Sequence, residues 1–290
     1  MQAVMKTEAN DGYAPHSLDA QQILDYRANG WMKLENVINA QTVQMLLNEA
    51  KTRMGEVART VDRNDPGKQI ENAYRWYARW DEVSATCPQI KALSHSPQLA
   101  SIASQLAGEE VRFYSDHVFA KNPESEAGGD TPWHQDFPHH PLDRQGALNI
   151  WIALVDLTPE MGTMQFLSRS HRAGMLGRYF NRRDNVTLLD EHPWVLDEFE
   201  MSPPISLKAG DATVHDMNVI HAAPANSSNT PRWVYSTLWL PVSARYTGAS
   251  NHRTDPPRVD AGYADGAPEV PHYPNALTGR LPGRRLPVGV

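Results

Sequence analysis

From Val111 onward the chain is made of short β-forming runs, at residues 111–121, 147–157, 163–167, 212–216 and 233–241. Turn-forming segments separate them: Gly128-Gly129-Asp130, Pro159-Glu160-Met161-Gly162 and Lys208-Ala209-Gly210-Asp211. No helix-sized stretch alternates with these runs, which disfavours a parallel sheet of βαβ units and predicts an antiparallel sandwich or barrel.

The first hundred residues have a different texture. Ser17 is placed to cap a helix with Leu18, Ile23, Leu24 and Tyr26 that stops at Gly30. Asn39 is placed to cap a second, with Val43, Leu46, Leu47, Ala50 and Met54 at helical spacing. Ser96-Pro97 opens a third, carrying Leu99, Ile102, Ala103 and Leu106, with Gly108 just past its end. The expectation is one domain over residues 1–247, helical over 17–108 and a barrel over 111–241, followed by a Pro/Gly/Arg-rich tail at 248–290 that is either mobile or wrapped over the surface. The long connection between His171 and Pro204 reads either as a lid or as a helical excursion that covers a sheet face.

A formal net charge of -7 gives no basic field for nucleic acid, and no apolar run is long enough to cross a bilayer. The start lacks a secretory pattern, and the lone Cys87 has no internal partner for a disulfide, which together predict a soluble, cytoplasmic protein. The sequence leaves the oligomeric state open, a homodimer included.

The chemistry concentrates in Trp133-His134-Gln135-Asp136 and in His221 followed by Arg232. On an extended segment His134 and Asp136 share a face while Gln135 points away. With His221 brought alongside on a neighbouring strand, two imidazoles and a carboxylate form the ligand set that leaves open positions on a non-haem Fe(II) ion. Arg232 lies beyond the polar segment 224–231, and a hairpin there would return its planar fork toward the metal to hold a carboxylate. Lys121 is either a second cation near that carboxylate or an ordinary exposed lysine. Trp133, Phe137, His139 and Trp151 flank the centre as candidate substrate contacts or as packing. His140, His171 and His215 read as non-ligands, His215 with a hydrogen-bonded structural role.

Over residues 18–241 the chain resembles the phytanoyl-CoA dioxygenase family of Fe(II)- and 2-oxoglutarate-dependent oxygenases. The resemblance rests on Leu24-Asp25-Tyr26-Arg27-Ala28-Asn29-Gly30-Trp31, the approach from Lys121 to Asp136, Ala153-Leu154-Val155-Asp156, and above all Gly210-Asp211, His221, Asn226, Ser228 and Arg232. It implies a mainly β fold with flanking helices around a double-stranded β-helix, a jelly-roll, cupin-like core. It also implies iron ligands at His134, Asp136 and His221, and an Arg232 that clamps 2-oxoglutarate. The implied reaction consumes 2-oxoglutarate and O2, releases succinate and CO2, and oxidises a C–H bond of a small molecule by hydroxylation, or by desaturation, epoxidation or cyclisation. Two positions depart from the family pattern. Ala223 stands where a serine often helps to hold the cosubstrate, and Ser168-Arg169-Ser170-His171 replaces the usual Pro-Gly-Ser-His turn. Asp136 is present where related halogenases have Gly or Ala, which disfavours halogenation. A zinc hydrolase and a non-catalytic metal- or ligand-binding barrel remain the rival readings of the same residues.

Overall fold

A computed structural model of the protein describes residues 13–62, 65–70, 77–123, 129–140, 142–176 and 187–245. The Tyr179-to-Arg183 segment and the tail after residue 247 lie outside the described residues. Eleven strands are described: β1 (Trp31–Leu34), β2 (Thr60–Val61), β3 (Gln69–Ile70), β4 (Tyr77–Asp81), β5 (Val111–Lys121), β6 (Thr131–His134), β7 (Leu148–Ala153), β8 (Gln165–Phe166), β9 (Ala212–Asp216), β10 (His221–Ala223) and β11 (Arg232–Pro241). A major sheet runs β1-β9-β7-β11-β5-β4 and a minor sheet β6-β10-β8, with every pairing antiparallel.

Helices α1 (Ala20–Asn29), α2 (Ala40–Met54), α3 (Val83–Thr86), α4 (Pro88–Ser94) and α5 (Pro97–Ala107) cover one face of the major sheet. Local chemistry sets their ends. Asp19, rather than Ser17, caps α1 through a capping box with Gln22, and α1 ends at Gly30 in the left-handed region. Asn39 caps α2, while α5 runs from Ser96-Pro97 to Gly108 as the sequence predicts.

Alternation along β11 then divides the structure into two layers. Trp233, Tyr235 and Trp239 point into the helical layer, and each is nearly or fully buried. Burial of such a side chain stabilises by roughly 1.5–3 kcal/mol. Val234 joins Trp151, Ala153 and Phe166 on the opposite side, between the two sheets. The site lies on that inner side. No helix among the described residues is long and apolar enough to cross a membrane.

The 171–204 connection carries two short helices, α6 (Leu188–Glu191) and α7 (Val195–Glu198). Leu188 and Val195 pack with Leu167, Ile220 and Trp133, the last of these next to the inward-facing His134 on β6. The described part is therefore an excursion that covers the outer face of the minor sheet. Gln135 pins it: the buried amide donates to the Gly174 carbonyl at 2.8 Å and accepts from the Leu176 N–H at 2.8 Å.

Candidate metal centre

The register of the minor sheet sets His221 on β10 directly opposite His134 on β6. Asp136 is not on the strand. β6 ends at His134, and Asp136 has helical backbone angles at the start of the 3-10 turn Phe137–His139. The turn, rather than strand alternation, brings its carboxylate round to the imidazoles. One ligand atom from each of His134, Asp136 and His221 lies within 4.8 Å of the other two. The Nε2 atoms of His134 and His221 stand 3.6 and 4.0 Å from Asp136 Oδ1.

Backbone carbonyls fix the tautomers. His134 Nδ1 is 2.7 Å from the Pro132 oxygen and His221 Nδ1 is 3.0 Å from the Val219 oxygen. A carbonyl only accepts, so each Nδ1 carries the proton and each Nε2 presents its lone pair to the carboxylate oxygen. Three electron-pair donors facing one another, two of them on buried imidazoles, call for a cation. Ligand bonds of about 2.1 Å would set such atoms about 3 Å apart, so the 3.6 and 4.0 Å separations would have to close by about 0.6 and 1 Å around a first-row ion. Protonation states fit as well. Burial opposes ionisation of Asp136, but His134, His215 and His221 around it hold the carboxyl well below its usual range. Burial, reinforced by His134, pushes the His221 imidazole well below its ordinary value. An ionised carboxylate and a neutral imidazole are the ligating forms.

Arg232 and Lys121 are register partners on β11 and β5. The expected hairpin is absent: residues 224–231 carry the chain from β10 in the minor sheet to β11 in the major one. Lys121 is fully buried rather than exposed. Its Nζ donates to the carbonyls of Ala223 and Pro224 at 2.9 and 2.7 Å, which ties it to the backbone two residues past His221. Burial, with Arg232 beside it and Asp130 in opposition, pushes its ammonium down to about 6. Arg232 donates Nη1 to the Gly162 carbonyl, leaves a buried Nε without a partner, and lies 5.1 Å above the Trp151 ring. Burial lowers it to about 10. Among the described residues no carboxylate forms an ion pair with either cation. Gly162 is required at its position: its φ is +72°, and a Cβ there would collide with the Pro224 carbonyl oxygen.

Of the flanking residues, Trp151 is buried beneath Arg232, and Phe137 packs with Tyr114, Met217 and Leu238 between the sheets. His139 is buried in the turn after Asp136. Trp133 packs under the excursion. Gln135, the pin of the excursion, carries no sequence signal, because nothing local in the chain marks a glutamine beside a ligand as a tertiary anchor.

Comparisons with known proteins give the chain its relatives. L-proline trans-4-hydroxylase of Streptomyces griseoviridis is 27% identical over 273 residues, covering 88% of this chain and 95% of that protein. The solved structure of the epimerase SnoN in complex with Fe3+, alpha ketoglutarate and nogalamycin RO superposes with a TM-score of 0.62 at 25% identity, covering 78% of this chain and 84% of SnoN. The carbocyclase SnoK from nogalamycin biosynthesis shares the fold, with a TM-score of 0.70 at 22% identity over 88% of this chain and 96% of its own. The family model for phytanoyl-CoA dioxygenase (PhyH) matches residues 26–234, well over half of the chain. The chain therefore belongs to the phytanoyl-CoA dioxygenase family.

Proposed function

We propose that the protein is an Fe(II)- and 2-oxoglutarate-dependent oxygenase that hydroxylates a C–H bond of a small molecule, with release of succinate and CO2. One observation carries the reading: the buried Arg232 guanidinium and the buried Lys121 amine, neither of them ion-paired with a carboxylate among the described residues, face each other across β11 and β5 in the same fold that brings three metal-ligating atoms together. Uncompensated buried charge is costly, so the site is built to receive an anion. His134, Asp136 and His221 would hold the iron, which supplies the one-electron chemistry with dioxygen that side chains lack. Arg232 would grip the distal carboxylate of 2-oxoglutarate, with Trp151 beneath it to limit the fork to one plane. Lys121, whose Nζ donates to the Ala223 carbonyl, would supply the donor that Ala223 lacks.

The test is succinate release by the Fe(II)-loaded protein across a panel of small molecules that includes amino acids and acyl thioesters. Substrate-stimulated succinate with an oxygenated product supports the reading; tight metal binding with no turnover of 2-oxoglutarate by any compound counts against it.

Lys121 gives this reading a pH signature. With its ammonium at about 6 in the empty site, the side chain is mostly neutral at pH 7.5. A bound carboxylate favours the charged form, so binding takes up a proton above pH 6. Affinity for 2-oxoglutarate is expected to be flat below pH 6 and to fall by up to about tenfold per unit above it, until the raised value in the complex is passed. Calorimetry between pH 6 and 8.5, in buffers of differing ionisation enthalpy, measures both effects. Lys121→Met should abolish the proton uptake.

A further inference from the structure

A third imidazole stands beside the ligand set. His215 on β9 has a fully buried side chain, and its Nε2 lies 3.4 Å from Asp136 Oδ2, whereas His134 and His221 pair with Oδ1. Its ring is held between His221, at 4.6 Å between centroids, and Phe166, at 5.4 Å. Its Nδ1 is buried with no partner. A buried donor without an acceptor is rarer and costlier than an acceptor without a donor. The proton therefore belongs on Nε2, where a carboxylate oxygen accepts it.

The two oxygens of Asp136 thus have separate surroundings. Oδ1 faces the lone pairs of two imidazoles, while Oδ2 faces an N–H. We propose that His215 is a positioning residue that holds Oδ2 away from the metal, so that Asp136 binds through Oδ1 alone and takes up one coordination position instead of two. The inference rests on the metal-centre reading above. A carboxylate released from that hydrogen bond is free to turn and chelate, which would close a position that reactants need. Partners of this kind also orient a ligand before the metal arrives, and their loss typically weakens metal binding 10- to 100-fold.

The test uses the whole protein with Co(II) added anaerobically, read by titration and by the visible d–d bands, with no turnover involved. His215→Phe keeps the ring volume and removes the donor; His215→Gln keeps an N–H donor. The expected result is wild-type affinity within about threefold for His215→Gln, and a loss of about 10- to 100-fold with altered band intensity for His215→Phe. Unchanged affinity and spectrum in His215→Phe would overturn the proposal, as would equal weakening in both variants, which would make the role one of packing. If His215→Phe does not fold, His215→Gln decides alone: retained affinity supports the role and a tenfold loss refutes it. X-ray absorption that counts three imidazoles on Co(II) in the wild type would make His215 a ligand and overturn it too. A wild-type protein that binds no Co(II) overturns both this inference and the metal-centre reading, whereas tight wild-type binding with indifferent variants removes only the former.

Discussion

Asp136→Ala is expected to weaken Fe(II) binding by more than about 100-fold and to reduce succinate production to the background of iron-free protein. The scale follows from a comparison: loss of a partner that merely orients a ligand costs 10- to 100-fold, and loss of the charged ligand itself must cost more. The carboxylate is the only anion in the triad, and despite the cost of burial its carboxyl is held well below the usual range. Its removal leaves two neutral nitrogens facing each other with no charge to offset desolvation of a dication. The fold should survive, since Asp136 sits in a short turn whose hydrogen bonds are made by the backbone, among them His139 N to Asp136 O at 3.0 Å. Metal titration monitored alongside thermal unfolding separates the two effects. A variant that melts like the wild type, yet binds Fe(II) and turns over normally, would remove Asp136 from the centre.

Arg232→Ala is expected to act on the cosubstrate instead. Removal of one partner from a buried, hydrogen-bonded charge pair costs about 2–5 kcal/mol, so the KM for 2-oxoglutarate should rise by on the order of 100-fold or more. At saturating cosubstrate kcat should fall far less, because the guanidinium lies across the sheets from the ligands and touches none of them. Steady-state kinetics with varied 2-oxoglutarate reads the split. A collapse of kcat at unchanged KM would show that Arg232 serves the chemistry and not the clamp. Exogenous guanidine offers a further control, as partial rescue at high 2-oxoglutarate would assign the defect to the missing fork.

Much of this was written locally in the chain. Asn39, Gly30, Ser96-Pro97 and Gly108 mark helix ends because capping chemistry acts within a few residues. The strands β5 and β9 match the predicted bounds, each starting shortly after a turn glycine, Gly108 or Gly210, that marks where the preceding segment ends. The rest depends on tertiary context. β6 and β10 are four and three residues long and carry polar ligands, so no period can build up in them. Chain order suggests a hairpin between His221 and Arg232, but a double-stranded β-helix sends consecutive strands to opposite sheets, and that choice belongs to the topology. The burial of Lys121 is equally invisible from its neighbours: only the carbonyls of Ala223 and Pro224, a hundred residues away, make an interior lysine tolerable.

The central claim is that three side chains and two cations form one site for iron and 2-oxoglutarate together. It is tested most directly by adding 2-oxoglutarate to the Fe(II)-loaded protein under anaerobic conditions and recording the visible spectrum. A weak metal-to-ligand charge-transfer band is expected that saturates with 2-oxoglutarate, is lost in Asp136→Ala, and needs far more cosubstrate in Arg232→Ala. Saturable 2-oxoglutarate binding without that band would place the cosubstrate away from the metal and contradict the account.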